Sequence, residues 1–294
     1  MASNRRAFTL AEERPRRGPA RWVARGLVLA LVAFVALGAW FGGRTLFQSV
    51  LGARCQATAA GSSVDFDPDQ MSNAATITAI ALRRGLPARA ATIALATAIQ
   101  ESKLRNIRYG DRDSVGLFQQ RPSQGWGTVE QILDPEYSTN KFYDALVKVD
   151  DWENGTITVV AQKVQRSAYP EAYADHEQEG RILASSLAGH SPRGVGCRLD
   201  DPEGEADVAL VGRLLEAEYG LAASGGDGVL TVAAPSDQVA WSIAAWSVAK
   251  AVDTGITGVT IGDRSWTRSR ESSAWEWRQA QTPSGAREVV LHLT

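Results

Sequence analysis

Glu101 closes an apolar, alanine-rich run, Ala90-Ala-Thr-Ile-Ala-Leu-Ala-Thr-Ala-Ile-Gln-Glu-Ser102. Helical character over that run brings one carboxyl group to its polar end, against apolar side chains. Such a setting disfavours a carboxylate anion and favours the acid. A carboxylic acid still protonated near neutral pH is what cleavage of a glycosidic bond requires. The plainer reading is a solvated glutamate near a helix end, as most glutamates are. Beyond it lies a turn-rich segment, Asp111-Arg-Asp-Ser-Val-Gly-Leu-Phe-Gln-Gln-Arg-Pro-Ser123, with two more carboxylates. Asp111 and Asp113 are the nearest in sequence that could assist a water, or they cap the turn at Gly110. The three histidines, His176, His190 and His292, are scattered, and His176-Glu-Gln-Glu-Gly180 is not a zinc-protease helix. No metal or cofactor is expected.

The elements that must position these groups read as mostly helical. Ser72 or Asn73 can cap a helix running to about residue 84, which Gly85-Leu-Pro87 breaks. A second helix over 88–104 carries Glu101. Residues 110–126 hold three glycines among alternating apolar and polar residues, the pattern of a turn or short hairpin. Helices follow over 128–133, 137–149, 156–166 and 170–187. Residues 189–205, rich in Gly, Pro and Asp, mark a boundary. Beyond it, helical periodicity over 208–219 and 238–252 and strand patterns over 229–233, 258–262 and 288–293 predict a small α+β domain, 206–294. Five of the nine tryptophans fall there, read as core packing in preference to sugar-stacking platforms. Ser224-Gly-Gly-Asp-Gly228 has no phosphate-loop pattern and reads as a turn.

Gln100-Glu101-Ser102 followed by Ser114-Val-Gly-Leu-Phe-Gln-Gln120 resembles the Glu-Ser and Gly-Leu-Met-Gln motifs of lytic transglycosylases and goose-type lysozymes. Asp134-Pro-Glu-Tyr-Ser-Thr-Asn-Lys-Phe-Tyr143 looks like that superfamily's Asp-Pro entry into its next helix. The likeness spans about residues 71–188, and three ordered segments are more specific than one. It implies a mainly α, lysozyme-like domain over 72–188 with a small β-like hairpin, set in a bacterial cell envelope. It implies peptidoglycan glycan strands as substrate, with Glu101 as the catalytic acid and Gly116 in the segment lining the sugar cleft. Ser102 would orient the carboxylate or cap local backbone, and Gln119 and Gln120 would offer amides to acetamido groups. The family's Ala-Tyr-Asn motif has no clear copy; Ala161-Gln-Lys-Val-Gln165 stands in its place, leaving Tyr169 or Tyr173 to supply the tyrosine. That departure keeps two other readings open. One is a lysozyme-like module that binds glycan without cutting it. The other is a structural component of an envelope complex, with the C-terminal domain as the surface for a protein partner.

A chain of 294 residues accommodates one or two sizeable cores, and a net charge of −2 gives no pull toward nucleic acid. Charge is concentrated at the start: seven arginines between Arg5 and Arg25 precede the apolar run Gly26–Phe41. With its flanks, 22–47 can span a hydrocarbon core of about 30 Å. Trp22, Trp40 and Phe41 lie at interfacial depth, and the basic side predicts a cytoplasmic N-terminus with the bulk of the chain outside. A single-pass anchor is therefore preferred to a cleaved signal, preceded by a disordered tail (1–21) and followed by a linker (48–71). Cys55 and Cys197 bracket the helical region on the predicted external side, where disulfides persist. A bridge between them is expected in preference to two buried thiols.

Overall fold

Alternating side chains in Arg54-Cys-Gln-Ala-Thr-Ala and Ser-Ser-Val-Asp-Phe66, with Ala60-Gly61 at the turn, form an antiparallel hairpin of β1 (Arg54–Ala59) and β2 (Ser62–Phe66). The computed structural model describes residues 52–165 and 170–293. The expected tail, the membrane anchor and Tyr169 lie outside these residues. The hairpin and the next helix begin within the stretch read as a linker.

That helix, α1 (Pro68–Arg83), starts earlier than Ser72 or Asn73 would set it. Asp67 precedes it, Pro68 opens it, and the Gln70 amide oxygen accepts from the Asp67 N–H at 2.8 Å. Ser72 and Asn73 are used elsewhere, on the Asp253 carboxylate (2.5 Å) and the Leu104 carbonyl (2.8 Å). Residues 71–81 of α1 are all buried except Asn73, as in a helix enclosed on every side. Around it lie α2 (Ala88–Ser102), α3 (Val129–Ile132), α4 (Pro135–Leu146), α5 (Ile157–Gln165), a 3₁₀ segment (Pro170–His176) and α6 (Glu177–Leu187). The stretch 110–126, read as a turn or short hairpin, is a folded turn with an isolated bridge, Val115 to Gln120.

β3 (Val195–Arg198) pairs with the free edge of β1, giving a three-stranded sheet in the order β2-β1-β3. Its register sets Cys55 opposite Cys197, and the two form a disulfide with their Cα atoms 4.0 Å apart. The chain entering the helical region and the chain leaving it therefore meet, as the bridge requires. β1 lies along α6, where the Ser186 hydroxyl donates to the Thr58 carbonyl at 2.9 Å.

The rest of the chain builds α7 (Val208–Tyr219), β4 (Ala223–Gly226), β5 (Val229–Ala233), α8 (Asp237–Thr254), β6 (Ile256–Ile261), β7 (Arg264–Thr267), β8 (Arg278–Gln279) and β9 (Glu288–Leu293). The strands form a six-stranded antiparallel sheet, β4-β5-β9-β6-β7-β8. β4 occupies part of the stretch read as a turn. α8 is sandwiched between this sheet and α1, so the larger sheet and the helical region share one continuous core. Trp246 and Trp266 are fully buried, and Trp277 donates to the Val195 carbonyl at 2.9 Å, so these rings pack the core as expected. At the α1–α8 contact, Glu218 on α7 accepts from Trp246 Nε1 (2.6 Å) and Thr76 (3.0 Å) and pairs with Lys250 at 3.2 Å. All three partners are needed, because a buried carboxylate left short of donors is strongly destabilising.

Candidate functional site

α2 stops at Ser102 because Lys103 and Leu104 both take the left-handed conformation, with φ of 57° and 58°. Two consecutive non-glycine residues there cost about 1 kcal/mol or more each. The turn is held from α1. Gln70 Nε2 donates to the Lys103 carbonyl at 2.6 Å and Asn73 Nδ2 to the Leu104 carbonyl at 2.8 Å, while the Leu104 side chain is fully buried. Arg112 and Gln119 also have positive φ, so four strained residues fall between 103 and 119. Such clustering is characteristic of functional loops.

Glu101, in the last turn of α2, is half-buried. Its Oε1 accepts a hydrogen bond from Tyr173 Oη at 2.6 Å. Tyr173 is 1 % exposed and sits in the 3₁₀ segment ahead of α6. α6 runs antiparallel to α2 at very close range: a Cβ on Gly180 would lie 2.9 Å from the Thr92 carbonyl oxygen and 3.1 Å from the Ala96 nitrogen. This missing side chain lets α6 settle against α2 and brings the segment before it over Glu101. Next to the pair, His176 Nε2 lies 3.1 Å from Gln100 Oε1, and its Nδ1 lies 2.9 Å from Glu179 Oε2.

The motif residues that follow Glu101 tie the loop to the helix end and to α4. The Ser102 hydroxyl donates to the Leu117 carbonyl at 2.7 Å and to the Ala98 carbonyl at 3.1 Å, so it ties loop backbone to the helix end and does not touch the carboxylate. Gly116, at φ +80°, donates its N–H to the Ile107 carbonyl at 2.7 Å, and a Cβ there would meet the Ile132 carbonyl at 2.8 Å. Gln120 is buried with its amide on the Ser138 carbonyl at 3.1 Å, anchoring the loop to α4. Gln119 is half-buried, its amide folded onto the Gly116 and Tyr109 carbonyls (3.3 and 3.4 Å).

Asp111 is almost wholly exposed. Asp113 is committed within the loop: it accepts from the Ser123 N–H (2.8 Å), Arg121 Nε (2.9 Å) and the Ser123 hydroxyl (3.0 Å). These donors, the Ser123 backbone first and then Arg121, hold its carboxyl well below the usual carboxylate range. The structure thus brings Tyr173 onto Glu101, ties Ser102 to the loop at Leu117 and gives Asp113 to the loop.

Two residues were not singled out from the sequence. Gln165, the last residue of the stretch standing where Ala-Tyr-Asn was expected, donates to the Phe118 carbonyl at 2.7 Å, so a side-chain amide from α5 does reach the loop. His176 could have been noticed from its position three residues after Tyr173. No protein-family model matches the chain, and no curated protein shows significant similarity to it.

Proposed function

We propose that this chain is a membrane-anchored enzyme that cleaves peptidoglycan glycan strands, lysozyme-like in its helical region and using Glu101 as the single general acid and base. The observation that carries the reading is the Tyr173–Glu101 hydrogen bond, 2.6 Å long, at a strained helix end tied to the Gly116–Gln120 loop through Ser102. Glu101 protonates the oxygen bridging N-acetylmuramic acid and N-acetylglucosamine. The resulting carboxylate then serves as base, on the muramoyl 6-hydroxyl to give an anhydro end or on a water to give a reducing end. Tyr173 fixes the carboxyl rotamer and offers a hydrogen bond to the anion as it forms. The clamp on Asp113 by Arg121 and Ser123 favours the first fate, since the other loop carboxylate, Asp111, is exposed and faces Arg112 at 3.9 Å. The apolar segment 22–47 holds the enzyme at the membrane, with the described residues on the outer side.

The competing reading, a module that holds glycan without cutting it, draws support from the Ser102 hydroxyl and the Gln120 amide nitrogen, both used on backbone. Incubating purified peptidoglycan with the full-length chain and identifying product ends by mass spectrometry tests the proposal. Anhydromuramoyl ends are expected. Strands left intact while the chain stays bound to them would favour the module.

A further inference from the structure

Away from Glu101, α4, α5 and the turn after α4 enclose an open hollow of about 470 Å³. Lys141, Lys148 and Lys163 line it, together with the half-buried Trp126 ring and the Gln165 amide. Its one acidic residue, Asp144, is already paired with Arg84 at 2.8 Å. Among the described residues no carboxylate forms an ion pair with any of the three lysines. Lys141 has an aromatic neighbour, its Nζ 5.4 Å from the Tyr137 ring centre. Lysines from α4, the turn after it and α5 thus border one concavity, none of them ion-paired with a described carboxylate. The hollow adjoins the candidate site through the loop: Gln165, in its wall, holds the Phe118 carbonyl, and the neighbouring Leu117 carbonyl is held by Ser102, next to Glu101.

Resting on the glycan-cleaving reading, we propose that Lys141, Lys148 and Lys163 form a cationic subsite for the carboxylates of the peptide stems borne by the muramoyl residues. A neutral run of acetylated sugars gives these lysines nothing to recognise, whereas each stem brings carboxylates out from the strand on a flexible tether. Spaced ammonium groups suit such a ligand, because they attract as point charges and do not demand the planar, two-pronged geometry that arginine imposes. Trp126 offers an apolar surface for the side chains between the charges. The subsite selects strands carrying uncapped stems over strands stripped of them.

The test measures binding of the full-length chain to three probes: stem-bearing glycan strands, strands stripped of peptide by an amidase, and the free stem tetrapeptide. It is run at low and high salt. Wild type should hold stem-bearing strands about tenfold more tightly than stripped ones at low salt, since three exposed charge contacts each add a small, screened amount. Raising the salt should erase the preference. The Lys141→Gln/Lys148→Gln/Lys163→Gln variant should bind both strands alike, while the triple Lys→Arg variant, keeping the charge, should keep the preference. These side chains are on the surface, and matching melting curves would show that the variants fold. An unchanged preference in the triple Gln variant overturns the subsite, as does equal binding of both strands by wild type. Glu101→Gln separates the two proposals. If wild type and Glu101→Gln alike leave strands uncut while the lysine-dependent preference persists in both, the catalytic reading falls and the subsite stands.

Discussion

Two short contacts decide the behaviour of the site. The Tyr173 hydroxyl gives Glu101 a direct partner from another element, at 2.6 Å. Tyr173→Phe removes that donor without changing shape, and hydrogen bonds to a charged group carry more than neutral ones. The expected result is a kcat lower by roughly tenfold to a hundredfold with KM little changed, measured by steady-state release of soluble fragments. A change confined to KM would mean that Tyr173 binds substrate and does not act on Glu101. The second contact is the Asp113 clamp. Its donors lower the carboxyl in the folded chain, so its contribution is present above the unfolded value of about 3.9 and disappears as pH falls through the lower folded value. Asp113→Asn should therefore speed hydrogen exchange at the Ser123 amide at neutral pH. The difference from wild type should close once pH drops below the ordinary carboxylate range. A gap that keeps its size as pH falls well below that range would show that charge plays no part. The sequence made Glu101 visible because one acid among so many alanines is conspicuous. It could not show Tyr173 over Glu101, since 72 positions separate them and only the path of α6 joins them.

Among the elements, α2 and α6 set the geometry. Gly180 lies where a Cβ would press into α2 backbone, and backbone cannot yield as a side-chain tip can. Gly180→Ala should push the helices apart, destabilise the fold by about 1–3 kcal/mol and move Tyr173 off Glu101. Chemical denaturation together with an activity assay checks both effects; full stability with full activity would contradict this packing. Most helices were legible from periodicity and from their breakers: Gly85-Leu-Pro87 does end α1, and α7 has the expected bounds. The start of α1 was less legible, because Ser72 and Asn73 are good caps by type but are spent on Asp253 and Leu104. β1 and β2 were hidden in a stretch whose Ala, Gly and Ser content reads as linker. Their partner β3 arrives only after the whole helical region, and composition does not encode pairing across that distance.

For the molecule as a whole, α8 lies between α1 and the six-stranded sheet, so the C-terminal sheet shares its core with the helices that carry the site. The Cys55–Cys197 bridge closes a loop with a sequence separation of 142. Chain-entropy arguments put such a closure at about 4–5 kcal/mol as an upper bound. Cys55→Ser should lower the melting temperature under oxidising conditions and match wild type in strong reductant. Equal melting in both conditions would mean that the β1–β3 pairing and the helical core suffice alone. The central claim is that this molecule cuts glycan strands with one carboxyl group, and its most direct test is the release of soluble muropeptides from purified peptidoglycan by full-length wild type and Glu101→Gln. The substitution keeps the size and polarity of the side chain and removes its acid proton. Release should fall at least about a hundredfold while the melting curve is unchanged; release at the wild-type rate by Glu101→Gln would contradict the account.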